Sequence, residues 1–234
     1  MNEKIFTCKK LQIFQEDKIL VDISFSIRDS LALVGQSGSG KSLTLKALLE
    51  MLPDDLSSSL HINSDFQPIK GKNLAFVPQN PFTSLSSMTK IKDQFFKKED
   101  EIKRFLKLVG LEEELMYRFP PELSGGQLQR VVIAIALSME PKLLLMDEPT
   151  TALDANTREK ILQLIHAMQK KYAFKLLFVT HDMDSAKFIC EDVAILKNGN
   201  IIESGKMEDI IKNPSSPYTK ELIEAGFKTR GFRE

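Results

Sequence analysis

Phosphate chemistry is written into GQSGSGKS, Gly35 to Ser42, which fits the phosphate-loop pattern G-x-x-x-x-G-K-[ST]. Glycines in such a loop let backbone N–H groups approach an anion closely, and the helix that follows turns its positive end toward the same charge. In this reading the amides of Gly38, Ser39, Gly40, Lys41 and Ser42 wrap phosphate oxygens. Lys41 neutralises the β and γ groups, and the Ser42 hydroxyl coordinates Mg²⁺. The metal needs a second oxygen ligand, and the run LLLMDE supplies one. A buried apolar strand there delivers Asp147 to the carboxyl end of a sheet, beside the loop. Glu148 lies one residue further on, placed to polarise an attacking water rather than to bind the metal.

A second run, LSGGQLQR from Leu123 to Arg130, has the serine and glycines of a phosphate grip but no lysine. Taken alone it is a helix start, with Ser124, Gly125 and Gly126 capping a helix that runs from Gln127. His181, in LLFVTHD, ends another apolar run and so reaches a sheet edge, and Gln79 sits in FVPQNP. Position alone leaves both as ordinary structural or surface residues.

Strands and helices must alternate to place these groups. VDISFSI (Val21 to Ile27) alternates apolar with polar residues as a half-buried strand does, and LALV (Leu31 to Val34) is continuous as in a buried one. Further strands are expected at LAFV, LLLM, LLFV and VAIL. After the phosphate loop, Leu45, Leu48, Leu49 and Leu52 recur on one helical face until Pro53 stops it. This interleaving predicts a mostly parallel α/β sheet. Between Asn80 and Glu140 the pattern turns helical, with Ile102, Phe105, Leu106 and Val109 in one set and Val131 to Leu137 in another, which reads as an insertion into the core. Asn198-Gly199 between two apolar runs predicts a hairpin, because both residues tolerate positive φ. The mixed charges of KKEDEIKR (Lys97 to Arg104) predict a solvated helix face.

The chain has 234 residues, enough for a large domain or one with a subdomain, and 32 basic side chains balance 32 acidic ones. Without a bulk basic field, a nucleic-acid partner is not expected. Cys8 and Cys190 lie outside any CxxC spacing, against a disulfide scaffold or a local zinc site and in favour of a reducing cytoplasm. No apolar run reaches the roughly 20 residues that span a bilayer, and MNEKIFTCKK lacks a signal-peptide apolar region.

Taken in order, GQSGSGKS, Gln79, LSGGQLQR, LLLMDE, the run TALD from Thr151 to Asp154, and His181 resemble the ATP-binding subunit of an ABC transporter, over nearly the whole chain. The resemblance implies a P-loop NTPase core of the RecA-like kind, with an N-terminal antiparallel β region and a helical subdomain. The expected layout is one ABC ATPase domain: 1–79 and 140–212 as core, 80–139 as helical subdomain, 213–234 as a short tail. It implies a Mg-dependent ATPase with ATP and Mg²⁺ as cofactors. Gly35, Gln36, Ser37, Gly38, Ser39, Gly40, Lys41, Ser42 and Leu43 would then cradle the nucleotide, with Phe14 as candidate for stacking on the adenine. Ser42, Gln79 and Asp147 would surround the metal, Glu148 and His181 the γ-phosphate. Gln79 would also report nucleotide state to a membrane subunit, and Asp154 would serve communication across a dimer.

In the family, the stretch at Ser124, Gly125, Gly126 and Gln127 covers the γ-phosphate held by an opposing subunit. The missing lysine then follows from a head-to-tail dimer, since the partner's phosphate loop already provides one. The implied partners are a second ATPase subunit, the same or different, with a heterodimer favoured in the assembled transporter, two membrane permease subunits and, indirectly, an external solute-binding protein. The implied place is the cytoplasmic face of the inner membrane, as a peripheral subunit. QNPFTSLSS and NPSSPYTKELIEA are similar to the peptide and nickel import branch, and SGSGKSLTLKALLEMLP leans toward nickel. Peptide import is the alternative, and a soluble non-transport ABC ATPase the second. Peptide-importing members usually continue with a cysteine-bearing extension, so ending at Glu234 argues against an iron-sulfur site and a large-peptide cargo.

Overall fold

Strand and helix alternate as the apolar runs predict. A computed structural model describes residues 5–151 and 153–228, with side chains up to 225. From the N-terminus, β1 (Phe6–Gln15), β2 (Lys18–Ile27) and β3 (Ser30–Val34) precede helix α1 (Lys41–Leu48). Then come β4 (Ser57–Asn63), β5 (Leu74–Val77), α2 (Glu99–Leu108), α3 (Gly125–Ser138) and β6 (Leu143–Asp147). The remainder carries α4 (Ala155–Tyr172), β7 (Lys175–Thr180), α5 (Met183–Ile189), β8 (Asp192–Lys197), β9 (Asn200–Lys206), α6 (Met207–Lys212) and α7 (Pro217–Lys228).

The chain divides into two compact units. The first joins Met1–Gln67 to Lys175–Glu234. Its central strand β3 is buried along its whole length between parallel neighbours β7 and β8, which is why LALV carries no polar alternation. β9 closes this side antiparallel to β8. The turn between them has Asn198 at φ 47° and Gly199 at φ 77°, the double positive φ that a two-residue hairpin turn requires. A separate antiparallel sheet, ordered β2-β1-β4, forms the expected N-terminal β region.

Two local expectations are corrected. The helix after the phosphate loop ends at Leu48, and Leu52 lies outside it. Glu50 turns to φ 48°, and the N–H groups of Glu50 and Met51 donate back to Ala47 and Lys46 at 3.0 and 2.8 Å, a Schellman-type close that precedes Pro53. The lysine-less run also starts its helix earlier than expected: Gly125 and Gly126 are the first residues of α3, and Ser124 is the cap.

The second unit is Pro68–Phe174. β5 and β6 pair in parallel, and α3, which buries Leu128, Val131 and Val132, packs on β5 and α2. α2 buries Ile102, Phe105 and Leu106, while Glu101 on it lies 4.0 Å from Lys97, which just precedes the helix. Arg130, at the end of LSGGQLQR, spans from α3 to the end of α2. Its Nη1 donates to the Gly110 carbonyl at 2.9 Å, and burial pushes the guanidinium pKa down.

Candidate nucleotide-binding site

In the first unit, parallel pairing sets Val34 opposite Thr180. The phosphate loop begins one residue past Val34 and His181 lies one residue past Thr180, so both leave the same carboxyl edge. Leu196, after the paired Ile195 of β8, borders the same edge, and its carbonyl limits the loop. A Cβ on Gly35 would sit 2.3 Å from the Leu196 oxygen and 2.7 Å from Ser39 Oγ, so only glycine fits there. Gly38 and Gly40 take φ values of 78° and 110°, which turn the loop into α1.

The loop is shaped for an anion. Lys41 Nζ donates to the carbonyls of Gly35 at 2.7 Å and Gln36 at 3.0 Å, so a cation is held across the loop entry. Ser39 Oγ is buried without a hydrogen-bond partner among the described residues. An ammonium and an unsatisfied hydroxyl at a helix start fit a phosphate group. Ser42, Gln36 and Ser37 are exposed, while Leu43 is half-buried. His181 is also exposed, and Asp182 beside it caps α5 by accepting from the Asp184 N–H at 3.1 Å. Phe14 is half-buried on β1, at a break in register between Ile13 and Phe14.

In the second unit, Val77 pairs with Met146, so Gln79 and Asp147 emerge at one strand edge. Asp147 is the last residue of β6. Glu148 has φ 43°, a strained conformation for a residue other than glycine. Its carboxylate accepts a hydrogen bond from Thr151 Oγ1 at 2.9 Å. The strain and the bond fix the carboxylate's direction at the turn following the strand.

A cavity of about 460 Å³ brings Gln79 together with Phe82, Gly125, Gln129, Thr151 and Leu153. Gln129 is 1% exposed, and its Nε2 has no partner among the described residues. Thr151 and Gln129 lie within the TALD and LSGGQLQR runs, but their places beside Glu148 and in this cavity carry no sequence signal, because a hydroxyl or an amide suits many surroundings.

The signature glycines divide in role. A Cβ on Gly126 would meet Thr157 Cγ2 at 2.8 Å, so close packing against α4 explains that glycine. A Cβ on Gly125 would find only Phe82 carbons, at 3.8 Å, which is ordinary contact. Nothing in this chain's described packing requires Gly125. Ser124 accepts the Gln127 N–H at 3.3 Å and Gln127 Oε1 accepts the Ser124 N–H at 3.0 Å, a capping box that orients the helix start. Asp154 caps α4 by accepting from the Thr157 N–H at 3.0 Å. That N–H holds the Asp154 carboxyl below the usual range.

A profile of the ABC transporter family matches residues 20–151. The chain belongs to the ABC transporter family. Among the relatives of this ABC chain, the oligopeptide transport ATP-binding protein OppD of Bacillus subtilis (strain 168) is 36% identical over 222 residues, covering 83% of this chain and 62% of OppD. The glutathione import ATP-binding protein GsiA of Escherichia coli (strain K12) is 34% identical over 238 residues, covering 87% of this chain and 38% of GsiA. The ABC chain thus spans less than two thirds of either relative. Among solved structures, cbiO1 from Clostridium perfringens, part of the ABC transporter complex cbiONQ, aligns with TM-score 0.76 and 28% identity over 95% of this chain and 100% of that one. An ATP-binding subunit of another ABC transporter, at TM-score 0.74 and 24% identity, shares the fold over 95% of this chain and 99% of its own.

Proposed function

We propose that this chain binds and hydrolyses ATP as the motor subunit of an ABC importer. The observation that carries the reading is the phosphate loop itself, with Lys41 drawn across its carbonyls and Ser39 Oγ buried and unsatisfied. In this reading the loop from Gly35 to Leu43 cradles the nucleotide, the amides of Gly38 to Ser42 and the Lys41 ammonium bind the phosphates, and Phe14 borders the adenine. Ser42, Asp147 and Gln79 are oxygen donors suited to Mg²⁺. The metal supplies charge neutralisation between phosphate oxygens when bound. Glu148, aimed by Thr151, accepts a proton from the attacking water, and His181 donates toward the γ-phosphate. Ser124, Gly125, Gly126 and Gln127 complete the site of a second ATPase subunit, and Asp154 lies on the path between the two sites. Room for a methyl at Gly125 supports this, since the bare backbone there suits a ligand from outside the chain.

The reading extends to two membrane permease subunits, reached through Gln79 and the helical subdomain of 80–139, and to an external solute-binding protein. It locates the chain as a peripheral subunit on the cytoplasmic face of the inner membrane. No described helix is long and apolar enough to cross a membrane, which fits a subunit that depends on partners for its place. For cargo, the relatives are named for oligopeptide and glutathione import and lend no support to nickel. Peptides are therefore the proposed class.

The test replaces the native copy with Glu148→Gln and follows uptake of labelled short peptides and of nickel. Peptide uptake should fall to background while nickel uptake is unchanged. Loss of nickel uptake alone would restore the nickel reading, and wild-type uptake of both would sink the importer reading.

A further inference from the structure

The segment NPSSPYT, which marks an import branch in the sequence, docks onto the phosphate loop. Glu203 on β9 anchors it. Its carboxylate accepts the N–H groups of Ser215 and Ser216 at 2.8 and 3.2 Å and the Thr219 hydroxyl at 2.5 Å. Burial opposes the charge on Glu203, yet those donors, led by the Ser215 N–H, hold its carboxyl below the usual range. Pro217 opens α7 at the position where a missing N–H costs nothing, and the Tyr218 N–H donates to Ser216 Oγ at 3.2 Å. The Tyr218 side chain is thereby sunk to 6% exposure, with Lys197 Nζ 4.6 Å from its ring centroid. Its hydroxyl accepts the backbone N–H of Gln36 at 2.9 Å.

Gln36 is the second residue of the phosphate loop, and its carbonyl receives Lys41 Nζ. We propose that Tyr218 is a positioning residue for that loop: Glu203 seats the start of α7, α7 presents the hydroxyl, and the hydroxyl pins the peptide that carries Gln36. The physical need is clear from the loop's other supports. Gly35 is wedged against Leu196, and the Ser39 carbonyl is held by the Gly199 N–H at 2.9 Å. Between these points lie exposed Gln36, Ser37 and Gly38. Lys41 Nζ and the Ser39 N–H hold only the Gln36 carbonyl. Without the Tyr218 contact the amide side of this arm gains freedom that the ligand must remove, which weakens binding by the population lost to other conformations. The contact touches neither Glu148 nor its water, so it acts on affinity and leaves the chemical step alone.

The inference rests on the ATPase reading, and the experiment separates the two. ATP and ADP affinities are measured calorimetrically with Mg²⁺ on the full chain, alongside steady-state hydrolysis, for wild type, Tyr218→Phe, Glu203→Ala and the double variant. Tyr218→Phe keeps the ring and removes only the acceptor. It should weaken both nucleotides about fivefold, the worth of one hydrogen bond, and raise KM with kcat unchanged. Glu203→Ala should shift affinity in the same direction, and the double variant should lose little beyond the larger single loss. Wild-type affinity in Tyr218→Phe overturns the proposal, as does a double loss equal to the product of the single losses. A wild-type chain that binds no ATP overturns the ATPase reading itself.

Discussion

Glu148 and Thr151 belong together at the residue scale. A carboxylate in left-handed backbone next to a β-strand is strained, and the Thr151 hydroxyl keeps that strained direction useful. With Glu148 as the proposed proton acceptor, Glu148→Gln should lower ATP turnover by about 10²–10⁴-fold. Thr151→Ala leaves the carboxylate but frees its rotation, and should cost about fivefold, the value of one hydrogen bond. Purified-protein phosphate release at saturating ATP measures both. Equal effects would mean that the hydroxyl does more than aim the carboxylate. The cysteines make the opposite case: burial pushes the Cys8 thiol up to about 12 and Cys190 upward as well, so neither is a nucleophile at neutral pH.

At the scale of elements, the β8–β9 hairpin is more than a connection. Gly199 accepts the Asp22 N–H at 2.8 Å and donates to the Ser39 carbonyl, which ties β2 to the phosphate loop. A Cβ there would stand 2.0 Å from the Leu20 carbonyl oxygen while φ is 77°. Gly199→Ala should cost about 2–4 kcal/mol, combining left-handed strain with overpacking. Urea unfolding with nucleotide absent reads this loss, and an unchanged midpoint would show that the loop brace is dispensable. Asn198-Gly199 was legible because hairpin chemistry is local. β4 was not: SSSLHIN is poor in β-formers, and only pairing with β1 makes it a strand.

For the molecule as a whole, the lysine-less signature predicts quaternary structure. Among the described residues Gly125 has no packing reason, and Ser124 orients the helix start through its capping box. In a Glu148→Gln background, ATP should convert the chain, with its ATPase partner if that differs, into a dimer visible by light scattering. Adding Ser124→Arg should abolish that shift while the monomer stays folded by circular dichroism. A dimer that survives the arginine would refute the composite site.

What could be known from the residues alone was chemistry of short range. Gly35 to Ser42, Asp147-Glu148 and Asn198-Gly199 each announce themselves because backbone freedom, strand burial and helix polarity act within a few positions. The helical span between Asn80 and Glu140 was legible from its apolar period, down to buried Ile102, Phe105 and Leu106. Contacts across long separations needed the folded chain. Leu196 walls Gly35, Thr157 crowds Gly126, and Tyr218 reaches Gln36 across 182 positions. Such partners carry no periodicity of their own, because a lone tyrosine or threonine is compatible with many surroundings, and tertiary packing alone selects which one it meets.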